Sequence, residues 1–428
     1  MTTLSFRIPI RTALILFGLI GVTYAKGQTG VKELAALPTY NITGTQLAGN
    51  EAPIAELVTT IEGEQLLQWS NLSPIAALRD LPFFYGNTNN ENDSNGGSGS
   101  AGVNLFGLGK QSTLTLINGR RAGGSAAFGI EQGGFADLNL ISSNAIREIQ
   151  IARTGTSVAY GSDAIAGTVN VLLHDWYDGQ KVDATYSDTT DGDASEKSLS
   201  FITGQQLSPK TQLVLFGNWY QRNALYARDR AVSADADRRS QGGQNQGSET
   251  FPGRISVDGT QYILRDGINI PSDQSDYRNW DTAEDRFNFS SQAPALPEFE
   301  RKNLMAQIEH ELSDQVSLWG ELMYTRNSFS NGTASAPWST SGALLTATRN
   351  SPHLPTGIAP ADLNQVSYRN FELGPLLVDQ SKEAWRNLIG LKGEVDLWKW
   401  ETALMHTKTE LNAQFSGSSR ISVTALYG

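Results

Sequence analysis

The stretch from Asn104 to Leu173 restricts the possible folds of this chain more than any other part of its sequence. Within it, the compact β-prone run Thr113–Ile117 leads directly into Asn118 and Gly119. Both of these residues tolerate positive φ angles, so the pair is a strong signal for a two-residue hairpin turn. Val169–Leu173 predicts another strand at the end of the stretch. We therefore expect a small domain of short strands joined by tight turns.

The segments around that hairpin complete the predicted domain. Residues 145–152 predict a short helix that runs into a strand. Upstream, the pattern predicts a strand at 55–61, a turn at 62–64 and a helix at 65–81 that breaks near Ser73-Pro74. Glycine serves where a chain turns tightly or approaches another segment closely. The glycines whose spacing predicts such positions are Gly155, Gly161 and Gly167.

Composition favours a β protein rich in turns. The 428 residues include 42 glycines, 39% are hydrophobic and only 18% are charged, which is typical of neither a disordered chain nor a helical coil. The absence of cysteine excludes disulfides, Cys-ligated zinc and thiol catalysis. A formal net charge of -11 argues against nucleic acid as a partner, because phosphate binding needs clustered Lys and Arg.

The N-terminus has the pattern of a secretory signal peptide. Arg7 and Arg11 precede the apolar run Ala13–Val22, and Thr23-Tyr24-Ala25 supplies a small-residue cleavage site. The run is shorter than the roughly 20 residues that a membrane-spanning helix needs. We therefore expect export with cleavage after Ala25. A buried helix of the mature protein is the alternative.

After about Asp175 the sequence changes character. Strand-length segments of alternating polarity now come in pairs, which is typical of transmembrane β-hairpins. The clearest pair joins Asn303–Leu312, through Ser313–Gln315, to a segment that begins at Val316. Residues 389–397 alternate in the same way.

The connections between these segments alternate in length. Short turns at 207–210, 312–315 and about 396–399 interleave with long polar loops at roughly 223–299 and 331–380. An outer-membrane barrel has this arrangement, with short turns on the periplasmic side and long loops outside. Six aromatic residues near strand ends are candidates for interfacial girdles, although each is equally consistent with ordinary packing: Trp219, Tyr220, Tyr324, Trp385, Trp398 and Trp400.

Taken in order, five blocks of the chain resemble the plug domain of TonB-dependent outer-membrane receptors. The blocks are Asn104–Gly109, Thr113–Arg121, Asp137–Ile141, Ala145–Arg153 and Ala159–Val171. The residues that we assign to the plug motif are Gly107, Gly109, Asn118, Gly119, Arg120, Arg153, Gly155, Tyr160, Gly161, Asp163, Gly167 and Asn170. The resemblance implies an α/β plug domain followed by antiparallel transmembrane β-barrel strands.

This resemblance also implies a domain order and a set of partners. The expected order is a signal peptide at 1–25, a flexible segment at 26–50, the plug at 51–179 and the first part of the barrel at 180–428. In the flexible segment, a β-prone run behind a proline could pair as an added strand with the periplasmic protein TonB, or be a plain linker. Its residues are Thr39, Tyr40, Asn41, Ile42, Thr43 and Gly44.

The function that the resemblance implies is uptake of a scarce ligand across the outer membrane of a Gram-negative bacterium. TonB and its inner-membrane energising complex would supply energy from the proton gradient. Iron-siderophore is the default ligand, and vitamin B12-like cofactors, sugars and peptides stay open. The alternatives are a passive porin-like channel, a non-transporting outer-membrane ligand-binding protein or a secreted enzyme.

No catalytic or metal-binding constellation is evident in the sequence. His310-Glu311 lacks the second histidine of a zinc-protease motif. Gly97–Gly102 matches G-x-G-x-x-G, but no strand precedes it. We therefore expect no catalytic residue, metal or cofactor. Asp137, Asp163, Arg120 and Arg153 should be packing and salt-bridge groups, and we expect the two arginines to pair with lumen carboxylates such as Glu309 and Glu321.

The strand count falls short of a whole receptor. Residues 181–428, less the two long loops, leave room for about seven to ten strands of ~9 to 11 residues. A plugged receptor barrel has roughly 22 strands. We therefore expect the chain to be the N-terminal part of a receptor, from an interrupted gene or an incomplete sequence.

Overall fold

The computed structural model describes most of the chain. The described residues are 2–7, 58–69, 73–85, 99–123, 135–153, 156–248, 253–268, 270–369, 371–396 and 398–417. The candidate TonB-contact run Thr39–Gly44 and motif residue Gly155 lie outside them. So do residues 87–98, most of a polar low-complexity run that the sequence predicts to be an apical loop of the plug, exposed to arriving ligand. Within these ranges, no helix is both long enough and apolar enough to cross a bilayer.

The first domain is built on a five-stranded sheet. Strand β1 (Thr2–Arg7) lies apart from it, antiparallel to the first strand after the domain. The five strands run in the spatial order β2-β5-β6-β3-β4. Their bounds are β2 (Val58–Glu62), β3 (Thr113–Ile117), β4 (Arg120–Arg121), β5 (Ile146–Ala152) and β6 (Gly167–Leu173). Strands β3 and β6 are parallel, whereas the other neighbours in this sheet are antiparallel.

Short helices cover this sheet. They are α1 (Gly63–Trp69), α2 (Pro74–Leu78) and α3 (Ser157–Tyr160). The predicted turn at 62–64 is wrong, because α1 begins at Gly63, directly after β2. The predicted break at Ser73-Pro74 is confirmed, because α2 begins at Pro74. Proline suits the first position of a helix, where the backbone N–H that it lacks would have no partner within the helix. Leu66, Ile75 and Leu78 bury completely against the sheet.

Fourteen further strands follow in the described chain. In order they are β7 (Gly179–Asp188), β8 (Glu196–Ser208), β9 (Thr211–Arg222), β10 (Leu225–Tyr226), β11 (Arg254–Val257), β12 (Thr260–Leu264), β13 (Tyr277–Asn279), β14 (Pro294–Leu296), β15 (Glu298–Ser313), β16 (Val316–Thr333), β17 (Pro337–Ser339), β18 (Leu363–Arg369), β19 (Leu376–Val395) and β20 (Trp398–Ser416). Helix α4 (Gly342–Arg349) lies between β17 and β18.

Seven of these strands form one antiparallel sheet, which we call the wall. Its order is β7-β8-β9-β15-β16-β19-β20, and β1 adds to the β7 edge. The unpaired N–H and C=O groups of such an edge accept any extended segment. The predicted short turns are confirmed, because β8 and β9, β15 and β16, and β19 and β20 are each joined by two residues. The wall therefore has the predicted hairpin layout, and its seven strands fall within the predicted range.

The two faces of the wall differ in chemistry. On one face, Phe216, Met305 and Met323 are buried and join the core of the first domain. On the other face, Leu304, Ile308 and Ile389 are 47%, 44% and 55% exposed. Strand side chains alternate between the two faces of a sheet. Here the outward face is apolar and the inward face carries both polar and apolar side chains, which is the pattern of a transmembrane sheet.

The aromatic candidates for girdles divide between these faces. Tyr324 and Trp385 point outward together, with ring centroids 4.3 Å apart. Tyr220 instead faces inward and is 2% exposed, packed with Phe299 and Phe329. Tyr220 is therefore a packing residue, because its position on β9 directs the side chain to the inward face of the wall.

The two long polar loops fold together, which the sequence did not predict. Strands β11, β12 and β13 of the first loop and β17 and β18 of the second form one sheet, in the order β13-β12-β11-β18-β17. Ile255, Val257, Tyr277, Ile358 and Leu363 bury beneath it. Each loop alone carries too few apolar residues to signal a core, and the buried cluster draws residues from both.

Gly167 offers a test of the first domain's packing. Its φ is +142°, and a Cβ atom there would lie 2.5 Å from the Ala152 carbonyl oxygen and 2.8 Å from Leu105 Cδ1. Gly167→Ala should lower the stability of the domain by roughly 1 to 3 kcal/mol. The matched control is Gly161→Ala, where φ is +88° but no atom lies within 4 Å of the added carbon. Thermal melting of the chain in detergent should show the larger loss for Gly167→Ala; equal losses would contradict the steric account.

The loop sheet should weaken in acid. Both Asp285 oxygens accept hydrogen bonds from Arg278, at 2.6 and 2.7 Å, and this contact holds the pKa of Asp285 below its ordinary value of 3.8. A carboxylate with a depressed pKa stabilises the fold fully above its unfolded pKa, and the contribution is lost as pH falls through the lower folded value. Pepsin should cleave the loops of the intact chain faster as pH drops below 3.8. Asp285→Asn should weaken this pH dependence, whereas Asp314→Asn, in the turn between β15 and β16, should keep it in full.

Candidate functional site

The candidate site is the seam where the first domain meets the inward face of the wall. Three wall side chains bind backbone carbonyls of one short 3-10 turn, Leu138–Leu140. The amide of Asn303 and the hydroxyl of Thr325 donate to the Leu140 oxygen, at 3.0 and 2.7 Å, and the amide of Asn327 donates to the Asn139 oxygen at 3.1 Å. A turn this short leaves its last carbonyls unpaired, so the wall supplies the missing donors.

A buried ion pair lies directly beside this turn. Lys382 Nζ of β19 lies 2.6 Å from Asp137 Oδ2 and 2.6 Å from the Ser100 hydroxyl. The other oxygen, Asp137 Oδ1, accepts from the backbone N–H groups of Ala101 and Asn139, at 2.8 and 3.0 Å. The two charged side chains are only 5% and 0% exposed. We call this group of contacts the outer clamp.

A second buried pair, the inner clamp, lies nearer the short turns. Glu321 of β16 forms an ion pair with Arg386 of β19, and it accepts a hydrogen bond of 2.7 Å from the Asn118 amide. Arg386 also donates to the Ile117 carbonyl at 3.2 Å. The wall therefore binds the predicted hairpin through one side chain and one backbone group.

Local structure fixes Asn118 in this position. The predicted hairpin turn is confirmed, with φ angles of 49° at Asn118 and 76° at Gly119. Asn118 Oδ1 accepts from the Leu173 N–H at 2.9 Å, and Asn170 Oδ1 accepts from the Gly119 N–H at 2.9 Å. The two asparagines hold the turn against β6, so the Asn118 amide can point only toward the wall.

Arg120 meets the wall, but not at the predicted carboxylates. It forms an ion pair with Glu401 of β20, and its guanidinium lies 4.4 Å from the centre of the Trp319 ring. Burial lowers the pKa of Arg120. Glu321 is held instead by Asn118 and Arg386, and Glu309 pairs with Lys392 at 2.8 Å. The predicted pairing of Arg120 with a carboxylate of the wall is therefore confirmed, but the two named examples, Glu309 and Glu321, are wrong, because the register places Glu401 in front of the hairpin.

Arg153 also departs from the prediction. Its guanidinium lies 5.1 Å from the centre of the Phe83 ring, inside the first domain. Across the described part of the chain, no carboxylate of the wall pairs with it. Arg153 is therefore a packing residue of the domain, and its predicted partners on the wall are wrong.

The other motif residues shape the first domain away from the seam. Asp163 pairs with Arg121, whose guanidinium also donates to the Tyr160 carbonyl at 2.7 Å. Gly107 and Gly109 have φ angles of 68° and 99°, and the Gly109 N–H donates to Asn104 Oδ1 at 2.8 Å. These contacts join residues of the first domain to one another, and they fix its turns.

The seam encloses one small cavity between the two clamps. Its volume is about 50 Å³, and Thr115, Thr325, Thr407 and Thr409 are among the residues that line it. This space suits a few water molecules and is too small for a drug-sized ligand, which needs roughly 300 Å³ or more. Nowhere in the described ranges do three His, Asp or Glu side chains meet in a way that could hold a metal ion.

Sequence reasoning missed most of the wall half of the seam. Lys382, Arg386, Asn303, Thr325 and Asn327 all occupy inward positions on long strands. On one strand they resemble any polar residue of an amphipathic strand. The one available signal was that these polar residues occupy the same face on neighbouring strands. That signal can be recognised only when the register between the strands is known.

Comparison with known proteins identifies the first domain. The family model of the TonB-dependent Receptor Plug Domain matches residues 51–168. The chain carries the plug domain of the TonB-dependent receptors. The iron-regulated outer membrane virulence protein of Vibrio cholerae serotype O1 is 29% identical over 137 residues, which are 30% of this chain and 20% of that protein.

Two solved structures align with most of this chain. A variant of the ferric enterobactin receptor of Pseudomonas aeruginosa, in complex with enterobactin, aligns with a TM-score of 0.43 at 13% identity, over 84% of this chain and 50% of that one. The siderophore receptor PirA of Acinetobacter baumannii aligns with a TM-score of 0.41 at 13% identity, over 84% and 48%. The chain therefore spans about half the length of these structures and a fifth of the curated relative.

The outer clamp should dominate the stability of the docked plug. Removing one partner of a buried ion pair leaves an uncompensated charge, so Asp137→Asn or Lys382→Met should each cost roughly 3 to 5 kcal/mol. The double variant should recover part of that loss. The matched control is Lys392→Met on the same strand, whose pair with Glu309 is about one-third exposed and should contribute roughly 0 to 1 kcal/mol. Chemical unfolding of the plug tests this account, and additive losses in the double variant would contradict it.

Proposed function

We propose that this chain functions as a TonB-dependent outer-membrane receptor that takes up a scarce nutrient, with a ferric siderophore as the first candidate ligand. The observation that carries the proposal is the plug, which is held against the inward face of a transmembrane sheet by the buried Asp137–Lys382 ion pair and by the hydrogen bonds of the Asn118 turn to the inner clamp. The plug match and the relatives named above, an iron-regulated outer membrane protein and two siderophore receptors, support this choice.

The seam explains why such a receptor would need an energy source. The clamps and the carbonyl contacts must break before a large solute can pass, because the cavity between plug and wall is about 50 Å³. The outer clamp contributes to this barrier, since leaving one of its charges buried without the other would cost roughly 3 to 5 kcal/mol. Mechanical work from TonB, drawn from the inner-membrane proton gradient, would supply this energy.

The site of that work would be the segment before the plug. Residues Thr39–Gly44 follow Pro38 and are β-prone, which suits strand addition to TonB. The run ends 14 positions before the start of β2, which is the edge strand of the plug sheet. We propose that residues 1–25 direct export and are removed, so that this segment projects into the periplasm.

The ligand would be captured at the opposite end of the wall. The loop sheet lies there, because it belongs to the two long connections and the short turns lie at the other end. Its surface combines cationic and aromatic groups, for example Arg254 and Arg286 beside the Trp280 ring, at 4.9 and 6.0 Å from the ring centre. Such groups suit an anionic, ring-bearing ligand.

Deletion of residues 39–44 in the native host tests the proposal. The deletion should abolish uptake of iron supplied as ferric siderophore while leaving binding of the siderophore to cells intact, since the binding loops are untouched. Deletion of residues 27–32, an equal length of the same segment, serves as the matched control and should preserve uptake.

The other outcomes separate the alternatives. Unchanged uptake after deletion of 39–44 would refute the assignment of the TonB contact. Uptake that persists in a host without TonB would favour a passive porin-like channel. Ligand binding with no uptake in the unaltered receptor would favour a non-transporting binding protein.

A further inference from the structure

The outward face of the wall carries a polar pair on its last two strands, β19 and β20. Asn387 and His406 are direct cross-strand partners there, and Asn387 lies in register with the outward Leu322 of β16. The same row continues through Ala306 on β15 to Leu215 on β9. Two polar residues therefore stand side by side at the end of an otherwise apolar row.

This row lies inside the apolar band, by which we mean the outward rows between Trp385 and the short turns. Each step of two residues moves roughly 6.6 Å along a strand and stays on one face. Trp385 is one step nearer the long loops than Asn387. One step toward the short turns lie Ile389 and Leu404, which are 55% and 77% exposed. Asn387 and His406 therefore face the hydrocarbon of the membrane, where lipid offers no hydrogen bond.

Another outward histidine shows how such a group is satisfied within one chain. His310 of β15 also faces outward, and its Nδ1 lies 2.8 Å from the hydroxyl of Thr211 on β9. His406 makes no hydrogen bond to any residue that the structure describes. Asn387 Oδ1 likewise has no partner in the described part of the chain. Polar side chains that face a membrane interior are costly unless a partner meets them, so this pair needs a partner from another molecule.

We propose that this face of β19 and β20 is the interface between two copies of the receptor in the outer membrane. A two-fold axis, the commonest symmetry of a homodimer, leaves every residue at its own depth when it runs along the membrane normal. Asn387 and His406 are in register on strands about 4.8 Å apart and tilted by roughly 35 to 45°, so their depths differ by only ~3 Å. The axis therefore places His406 of each copy opposite Asn387 of the other.

The two residues complement each other in this arrangement. A ring N–H of His406 donates, and the amide of Asn387 accepts; the terminal torsion of an asparagine is broad, so the oxygen can turn toward that donor. The next row repeats the pattern, because Lys408 and Trp385 are cross-strand partners that are 56% and 41% exposed. Across the axis, the Lys408 ammonium meets the Trp385 ring in a cation–π contact. Glu410, 2.6 Å from Lys408, offsets the charge that two copies bring together.

The shape of a barrel wall suits a contact of this size. Two barrels in one membrane touch along convex surfaces, and their tilted strands cross where they face each other. The contact is therefore confined to the few residues near the crossing. A patch of two rows on two strands fills such a contact. Because the patch is complementary to itself, a second copy meets its requirements at the correct depth, whereas a different protein would need a matching patch of its own.

Disulfide trapping in outer membranes isolated from the native host tests the proposal. The chain has no cysteine, so an introduced cysteine is its only thiol. Leu404→Cys lies one row from His406, beside the axis. Ile308→Cys, at an exposed outward position of β15, is the matched control. On oxidation with copper phenanthroline, Leu404→Cys should give severalfold more disulfide-linked product of twice the receptor's mass than Ile308→Cys.

Variants of the polar row test the contact itself. In the Leu404→Cys background, His406→Leu with Asn387→Leu should lower the disulfide yield severalfold, to that of the control. His406→Gln retains an N–H donor and should retain the yield. His310→Leu removes the outward histidine that already has a partner within the chain, and it should change nothing. Altered gel mobility on heating shows that each variant is a folded barrel.

The outcomes separate this interface from the proposed function, on whose placement of the wall in the outer membrane it rests. Equal yields from Leu404→Cys and Ile308→Cys would overturn the dimer, as would a yield that the two leucine substitutions leave unchanged. A product of any other mass would identify a different partner and overturn the pairing of two copies. None of these results affects uptake, which needs neither His406 nor Asn387. Absence of the receptor from the outer membrane would instead contradict the proposed function and the interface together.

Discussion

The carboxylate of Asp137 is the group on which the seam between plug and wall depends. It is fully buried, and each of its oxygens is engaged: one by the backbone of Ala101 and Asn139, the other by Lys382. A buried charge is tolerated only when paired and hydrogen-bonded. The same carboxylate that shapes the turn at Leu138–Leu140 therefore determines where Lys382, and with it β19, must lie.

A polar joint of this kind has a physical advantage over an apolar one for a plug that must move. Hydrogen bonds and ion pairs specify one position, because a small shift leaves buried groups unpaired at a cost of ~1 to 3 kcal/mol each. Once separated, the same groups are satisfied by water, whereas exposed apolar surface is not. The small cavity lined by Thr115 and Thr407 already gives water a place within the seam. The seam is thus specific when closed and stable enough in water when open.

The sequence predicted the parts of this arrangement that depend on local chemistry. The turn at Asn118 and Gly119 was predictable because few residues accept positive φ. The short turn at Ser313–Gln315 was predictable because the segments on both sides of it alternate in polarity. Partners across the seam could not be predicted in the same way. Arg120 meets Glu401, which lies 281 positions later in the numbering, and nothing in either neighbourhood indicates the register that joins them. The loop sheet could not be predicted either, because its core is shared between two loops that are far apart in the sequence.

The central claim is that the wall holds Asp137 in place through Lys382. Hydrogen exchange at the two backbone N–H groups that donate hydrogen bonds to Asp137 tests this claim most directly. In the intact chain in a membrane mimic, the N–H groups of Ala101 and Asn139 should exchange only as fast as the plug itself opens, because both donate to a buried carboxylate. Replacing Lys382 by methionine should speed exchange at both positions together while leaving the core of β6 protected. Unchanged exchange at Ala101 and Asn139 in that variant would contradict the account, because the wall would then have no part in holding Asp137.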